Sequence, residues 1–178
     1  KSFADVQSRG LVLGGTSPTG TSVMTPVALN KLVGAKFKMV LGYKGTTEQY
    51  LAMERGEIEG MGNAIWSQLK RSNAKWIEER KVAPLYQEGH ARSRDLPDVP
   101  TVIELAGNED DRRMLRLLAS SSVIGRSFYV GSRVARERVE MLREAFRRTA
   151  RDPAFLEAAE KLAIPINPMD GEEIGRAH

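Results

Sequence analysis

Between residues 10 and 70 the chain repeats one event three times: a short apolar run, a turn of small residues, and the start of a helical pattern. Gly10–Gly14 encloses Leu11, Val12 and Leu13 between glycines, as expected of a buried parallel strand. The spacing predicts a helix over 21–33, carrying Val23, Val27, Leu29, Leu32 and Val33 and closed by Gly34, with Pro26 either kinking it or marking the start of its regular part. Phe37 to Tyr43 alternates as a second strand. Thr46-Thr47-Glu48-Gln49 then fits a capping box, predicting Thr46 as the cap of a helix from Thr47 to Arg55 that ends at Gly56. A third strand is expected from Ile58 to Met61, followed by the turn Gly62-Asn63-Ala64 and a helix containing Trp66 and Leu69. Few folds bury such an alternation, and the fold class it predicts is α/β. In an open α/β sheet the small-residue loops collect at the carboxyl edge of the strands, where ligands bind.

Beyond Ser72 the pattern is less regular. Lys81–Gln87 reads as a strand, with Pro84 confining it to an edge or a bulge. Gly89–Pro100 is a polar, proline-punctuated connection. Thr101 is expected to cap a short helix through Leu105, with Glu104 returning the bond. A helix is expected over 110–118 and a strand over 127–130. In the tail, Val139, Leu142 and Phe146 form an apolar helical stripe; Asp152-Pro153 is a cap followed by a first-turn proline, opening a helix with Phe155, Leu156, Ala159 and Leu162.

The first loop, Gly14-Gly15-Thr16-Ser17-Pro18-Thr19-Gly20-Thr21-Ser22, carries the sharpest chemical signal. Gly15, Gly20 and Ser22 match the spacing of a nucleotide phosphate loop, but Thr21 stands where that pattern needs lysine. Without that charge, what is left is a turn of backbone N–H groups, several hydroxyls and a helix N-terminus. Such a set suits one carboxylate better than a triphosphate. The same residues also suit an ordinary turn before a helix.

Other chemistries find little support. The chain has no cysteine, which excludes disulfides, zinc-thiolate sites and a cysteine nucleophile. Its two histidines, His90 in a polar loop and His178 at the end, are not at ligand spacing. Ser17 is not a hydrolase elbow, because Thr19 replaces the second glycine. We therefore expect no catalytic residue, no metal and no cofactor, and a protein that is not an enzyme. The net charge of +4 points to Arg136, Arg143, Arg147 and Arg151, but Glu137, Glu140 and Glu144 are interleaved with them and no aromatic run accompanies them, so no nucleic-acid partner is expected. No apolar run approaches the roughly 20 residues that span a bilayer.

The order of motifs resembles a known family, the extracytoplasmic solute receptors of tripartite tricarboxylate transporters, or Bug receptors. The resemblance is carried by Gly20-Thr21-Ser22, Gly42-Tyr43-Lys44-Gly45-Thr46, the block Leu51-Ala52-Met53-Glu54-Arg55-Gly56-Glu57-Ile58-Glu59-Gly60, Leu96-Pro97-Asp98-Val99-Pro100-Thr101 with Glu104, and Gly125-Arg126-Ser127-Phe128. It implies a lobe of the periplasmic binding protein type II kind, with a mixed sheet flanked by helices, that captures a small organic carboxylate in the periplasm and delivers it to membrane transporter subunits. Residues 1–124 correspond to the ligand-binding second lobe, and residues 125–178 to a strand and helices of a first lobe that is otherwise missing. Carried across by position, the ligand-binding candidates are Thr16, Ser17, Thr19, Gly20, Thr21, Tyr43, Thr46, Asn63 and Ala64; Tyr43 also suits plain strand packing. The family's proline-rich turn before the late helices is replaced here by Val130–Ala135. Those late helices, deprived of a covering sheet, are expected to pack against the present lobe in a rearranged way or against a second copy of the chain. The alternative function is a small-molecule-binding regulatory module of related fold.

Overall fold

The computed structural model describes residues 2–125, 127–162 and 164–176; Arg126 of the last family-like motif and His178 lie outside them. The elements are α1 (Phe3–Arg9), β1 (Leu11–Gly15), α2 (Thr21–Val33), β2 (Phe37–Leu41), α3 (Thr46–Glu54), β3 (Gly60–Met61), α4 (Trp66–Ser72), α5 (Ala74–Glu78), a 3-10 turn (Val102–Leu105), α6 (Glu109–Ile124), α7 (Arg136–Thr149), α8 (Pro153–Lys161) and α9 (Gly171–Arg176). No helix among the described residues is long and apolar enough to cross a membrane.

The fold class is α/β, as the alternation predicts. The sheet, however, is not mixed: its three strands lie in the order β2-β1-β3 and both pairings are parallel. Each of these strands is followed by a helix, and a parallel neighbour requires that kind of crossover. Leu11 pairs with Phe37 and Gly15 with Leu41, while β3 contributes only Gly60 and Met61 opposite Leu13 and Gly14. Glu59 and Ile58, expected in the third strand, precede it: the Glu59 amide donates to the Val12 carbonyl at 2.8 Å, and Ile58 is buried.

One face of the sheet carries the core. Leu11, Leu13 and Phe37 pack with Phe3 and Val6 of α1, Leu29 of α2, Val102 and Ile103 of the 3-10 turn, and Leu115 and Ala119 of α6. The opposite face meets α3 and the chain after it, since a Cβ on Gly14 would come within 2.6 Å of Ile58 Cδ1 and 3.1 Å of Gln49 Oε1. α2 has the expected bounds. Gly34, at φ 69°, supplies the left-handed residue that ends it. Pro26 neither starts nor ends this helix but lies within it, fully buried.

Three local expectations fail. Gly45, not Thr46, is the residue before α3, and the Glu48 carboxylate instead accepts the Lys44 amide at 2.7 Å. Lys81–Gln87 is not a strand; only Gln87 bridges, to Thr101, which leaves Pro84 without a ladder to disrupt. Ser127–Val130 is not a strand either; no strand among the described residues lies beside it, and Phe128 and Tyr129 are 87% and 92% exposed. The expected caps at Thr101 and Asp152 are present: Glu104 accepts from the Thr101 amide at 2.7 Å, and Asp152 Oδ1 accepts from Phe155 at 2.9 Å. Residues 110–118 belong to the longer α6, capped by Asn108.

Candidate functional site

Because all three strands run the same way, the loops after β1, β2 and β3 gather at one edge, with the β1 loop in the middle. Gly15 suits the end of β1: a Cβ there would lie 2.4 Å from Val23 Cγ2, so a larger residue would have to displace the Val23 side chain of α2. The loop then turns back on itself. The Gly20 amide donates to the Ser17 carbonyl at 3.0 Å, and the Thr16 amide donates weakly to Ser22 Oγ at 3.4 Å. Thr16, Ser17, Thr19 and Thr21 are exposed, and Gly20 is half-buried.

α2 begins with no side-chain cap and no acidic residue in its first turn. An α-helix leaves its first N–H groups without intrahelical partners and carries a partial positive charge there. At α6 the protein supplies Asn108, Glu109, Asp110 and Asp111 for the same purpose. α2 has glycine, threonine and serine instead: Thr21 is exposed, Ser22 is buried, and the Val23 and Met24 amides both turn back to the Gly20 carbonyl at 2.9 Å.

The β2 loop contributes less. The Tyr43 amide donates to the Gly15 carbonyl at 3.4 Å, tying the two loops together, but the Tyr43 side chain lines a separate cleft of about 330 Å³ with Glu48, Leu51, Ala52, Arg55 and Glu57 of α3 and its end. Neither Thr16 nor Thr21 lines that cleft. Thr46 is half-buried at the first position of α3.

The β3 loop lies hard against α2. A Cβ on Gly62 would fall 1.9 Å from the Ser22 carbonyl oxygen and 2.6 Å from Pro26 Cγ. Proline at 26 removes the N–H that the Ser22 carbonyl would accept within the helix, and Gly62 packs over the acceptor left free. Asn63 is half-buried and Ala64 exposed beside it. The nine sequence candidates thus divide: Thr16, Ser17, Thr19, Gly20 and Thr21 form one loop, Asn63 and Ala64 adjoin it through Gly62, and the side chains of Tyr43 and Thr46 lie with α3.

Residues that the sequence did not single out complete the surroundings. The Tyr86 hydroxyl donates to the Gly62 carbonyl at 2.5 Å. Thr25 is buried one helical turn below Thr21, and Glu88 meets both Thr25 and Asn63. Burial pushes the Glu88 carboxyl above the usual carboxylate range, and hydrogen bonding from Thr25 and Asn63 offsets part of that rise. Gln49 is 2% exposed and its Oε1 has no hydrogen-bond partner. The alternation of Tyr86 and Glu88 around Gln87 was a usable signal for two side chains on one side; nothing local indicated what they would meet. His90 does not join this group, its Nε2 lying 3.5 Å from Ser120 Oγ of α6.

Comparison with known proteins gives no assignment: no family model, no curated protein and no solved structure matches this chain.

Proposed function

We propose that this chain is a binding lobe that captures a small organic carboxylate at the edge formed by Thr16–Thr21 and Gly62–Ala64, without transforming it. The observation that carries this reading is the uncapped, acid-free N-terminus of α2 at the central strand of the sheet, surrounded by hydroxyls and adjoined by a second loop. Backbone donors and a helix dipole recognise a single carboxylate, and the missing lysine leaves nothing to neutralise a triphosphate. The finer reading is the second lobe of a tripartite tricarboxylate-type solute receptor, acting in the periplasm and delivering its ligand to membrane transporter subunits. Its support is the run of motifs from Gly20 to Glu104.

Amide chemical-shift titration tests the site. Succinate is expected to move the Thr16–Ser22 amides, and ATP to leave them in place. Thr21→Asp adds a charge that the helix dipole tolerates, changing stability by less than about 1 kcal/mol. It also places that charge where the carboxylate sits, weakening succinate about tenfold or more. Equal affinity for wild type and Thr21→Asp, or a triphosphate ordered on the Gly15–Ser22 amides, removes this loop as the carboxylate site.

A further inference from the structure

Tyr86 and Glu88 stand two residues apart in an extended segment and reach the same loop, Gly62–Ala64. Gln87 between them turns the other way and holds the segment still. Its Nε2 donates to the Leu96 and Val99 carbonyls at 2.9 and 2.6 Å, and its Oε1 accepts from the Ser93 amide at 2.7 Å. The Tyr86 ring packs edge-on against Phe3 and Phe37, with centroids 6.5 and 6.3 Å away, so its hydroxyl meets Gly62 from a fixed base. Glu88 touches α2 at Thr25 and the loop at Asn63. It therefore bridges the two elements that approach most closely at Ser22 and Gly62.

This bridge is incomplete in one respect. Oε1 of Glu88 is buried and has no hydrogen-bond partner. A neutral carboxyl in such a place both donates and accepts, whereas a carboxylate only accepts and needs donors on both oxygens. The groups facing it from α2 and from the loop are the uncharged Thr25 and Asn63, and no charged side chain contributes to its titration. The titratable group coupled to it is Tyr86, which burial and the Glu88 charge keep as a neutral donor.

We propose that Glu88 is a positioning residue for the carboxylate site: protonated, it holds Asn63 and Gly62 against the first turns of α2, and ionised, it loosens that loop and weakens anion binding. The proposal rests on the carboxylate reading above for its effect on affinity, while its effect on the loop stands on the Tyr86, Glu88 and Gly62 geometry. An ionised Glu88 is an unpaired charge behind a site that selects negative charge, so both terms have the same sign. Binding of the anion in turn favours the protonated carboxyl, and capture is accompanied by proton uptake.

The test compares wild type with Glu88→Gln, which has the shape of the protonated acid and does not titrate. Succinate affinity is measured from about pH 5 to about pH 8, a range that brackets a raised carboxyl. The ligand's own titration is common to both proteins. Relative to Glu88→Gln, wild-type affinity is expected to fall about tenfold across that range, with the two agreeing at the acid end. In parallel, the Gly62 and Asn63 amide shifts of the ligand-free wild type are followed over the same range. They should titrate with one midpoint above the ordinary carboxylate value and be flat in Glu88→Gln. Superimposable affinity profiles, or flat Gly62 and Asn63 shifts in wild type, overturn the proposal. If succinate binds neither protein while the loop amides still titrate, the carboxylate site and the affinity effect fall together, and the proton-dependent bridge stands.

Discussion

The region from α1 to α6 and the region from α7 to α9 form helices by the same local rules, yet among the described residues only the first builds a core. Every member of the buried cluster lies between Phe3 and Ala119. α7 buries no residue, and α8 buries only Ala159. The local devices of α7 and α8 are nonetheless sound: Glu140–Arg143 and Glu144–Arg147 pair at 2.8 and 3.2 Å, and Asp152-Pro153 opens α8. The apolar stripe stays open, with Leu142 51% and Phe146 40% exposed. Caps and i,i+3 pairs decide that a helix forms; they do not provide the surface its apolar face needs.

The sharpest way to break this contrast is to shorten one leucine in each region. Leu115→Ala empties a fully buried position on α6 and should cost about 2–5 kcal/mol, whereas Leu142→Ala should cost no more than about 0.5 kcal/mol. Urea unfolding followed by Trp66 and Trp76 fluorescence reads the first region selectively, since both tryptophans lie in it. Circular dichroism reads both regions. Equal losses for the two variants would mean that the α7 stripe is covered in solution.

A smaller effect is expected from glycines. Gly62→Ala drives a methyl group into the Ser22 carbonyl and should cost about 1–3 kcal/mol while displacing the Asn63 loop. Gly131→Ala meets nothing within 4 Å and should be neutral within about 0.5 kcal/mol. Thermal melts of the pair check the difference, and a stable Gly62→Ala variant with unchanged loop amides would show that the close approach is dispensable.

The smallest effect is a pH dependence at the corner beneath the 3-10 turn. The Arg92 guanidinium and the Thr101 amide hold the Glu104 carboxyl down at about 2. A carboxyl lowered on folding stabilises above its ordinary value near 4.3 and loses that contribution as pH falls toward its folded value. Acid from about pH 5 down to about pH 2 should therefore lower the melting temperature of wild type more than that of Glu104→Gln. Identical acid limbs would show that this exposed network contributes nothing to the first region. The sign is opposite to that of Glu88, whose raised carboxyl favours the folded form less as pH rises.

Much of the first region was legible because its signals act within one or two turns. α2 has the bounds its apolar spacing and Gly34 predict, and the Thr101–Glu104 box closes as its four residues require. Ser127–Val130 has a strand's composition but no partner strand, so composition alone misled there. α1 went unread because its two buried residues, Phe3 and Val6, make too short a stripe to stand out. Within the candidate site, the Thr16–Thr21 loop was visible as a motif, while Tyr86 and Glu88 were not, since their partners are Gly62, Thr25 and Asn63, all far back along the chain.

The sequence by itself determined the alternation of strands and helices, the glycine and hydroxyl character of the loops, the absence of a phosphate-binding lysine and the Asp152 cap of α8. Each depends on residue types at fixed short spacing, which set backbone torsions and local hydrogen bonds whatever surrounds them. Only the tertiary structure decided that all three strands run parallel, that Gly62 closes over the carbonyl freed by Pro26, and that a carboxyl from residue 88 is buried behind the loop. It also decided which apolar stripe is covered, Leu115 with α2 and the 3-10 turn, and which is left open at Leu142. Burial and long-range approach depend on which surfaces the folded chain brings together, and a residue's neighbours in sequence carry no record of them.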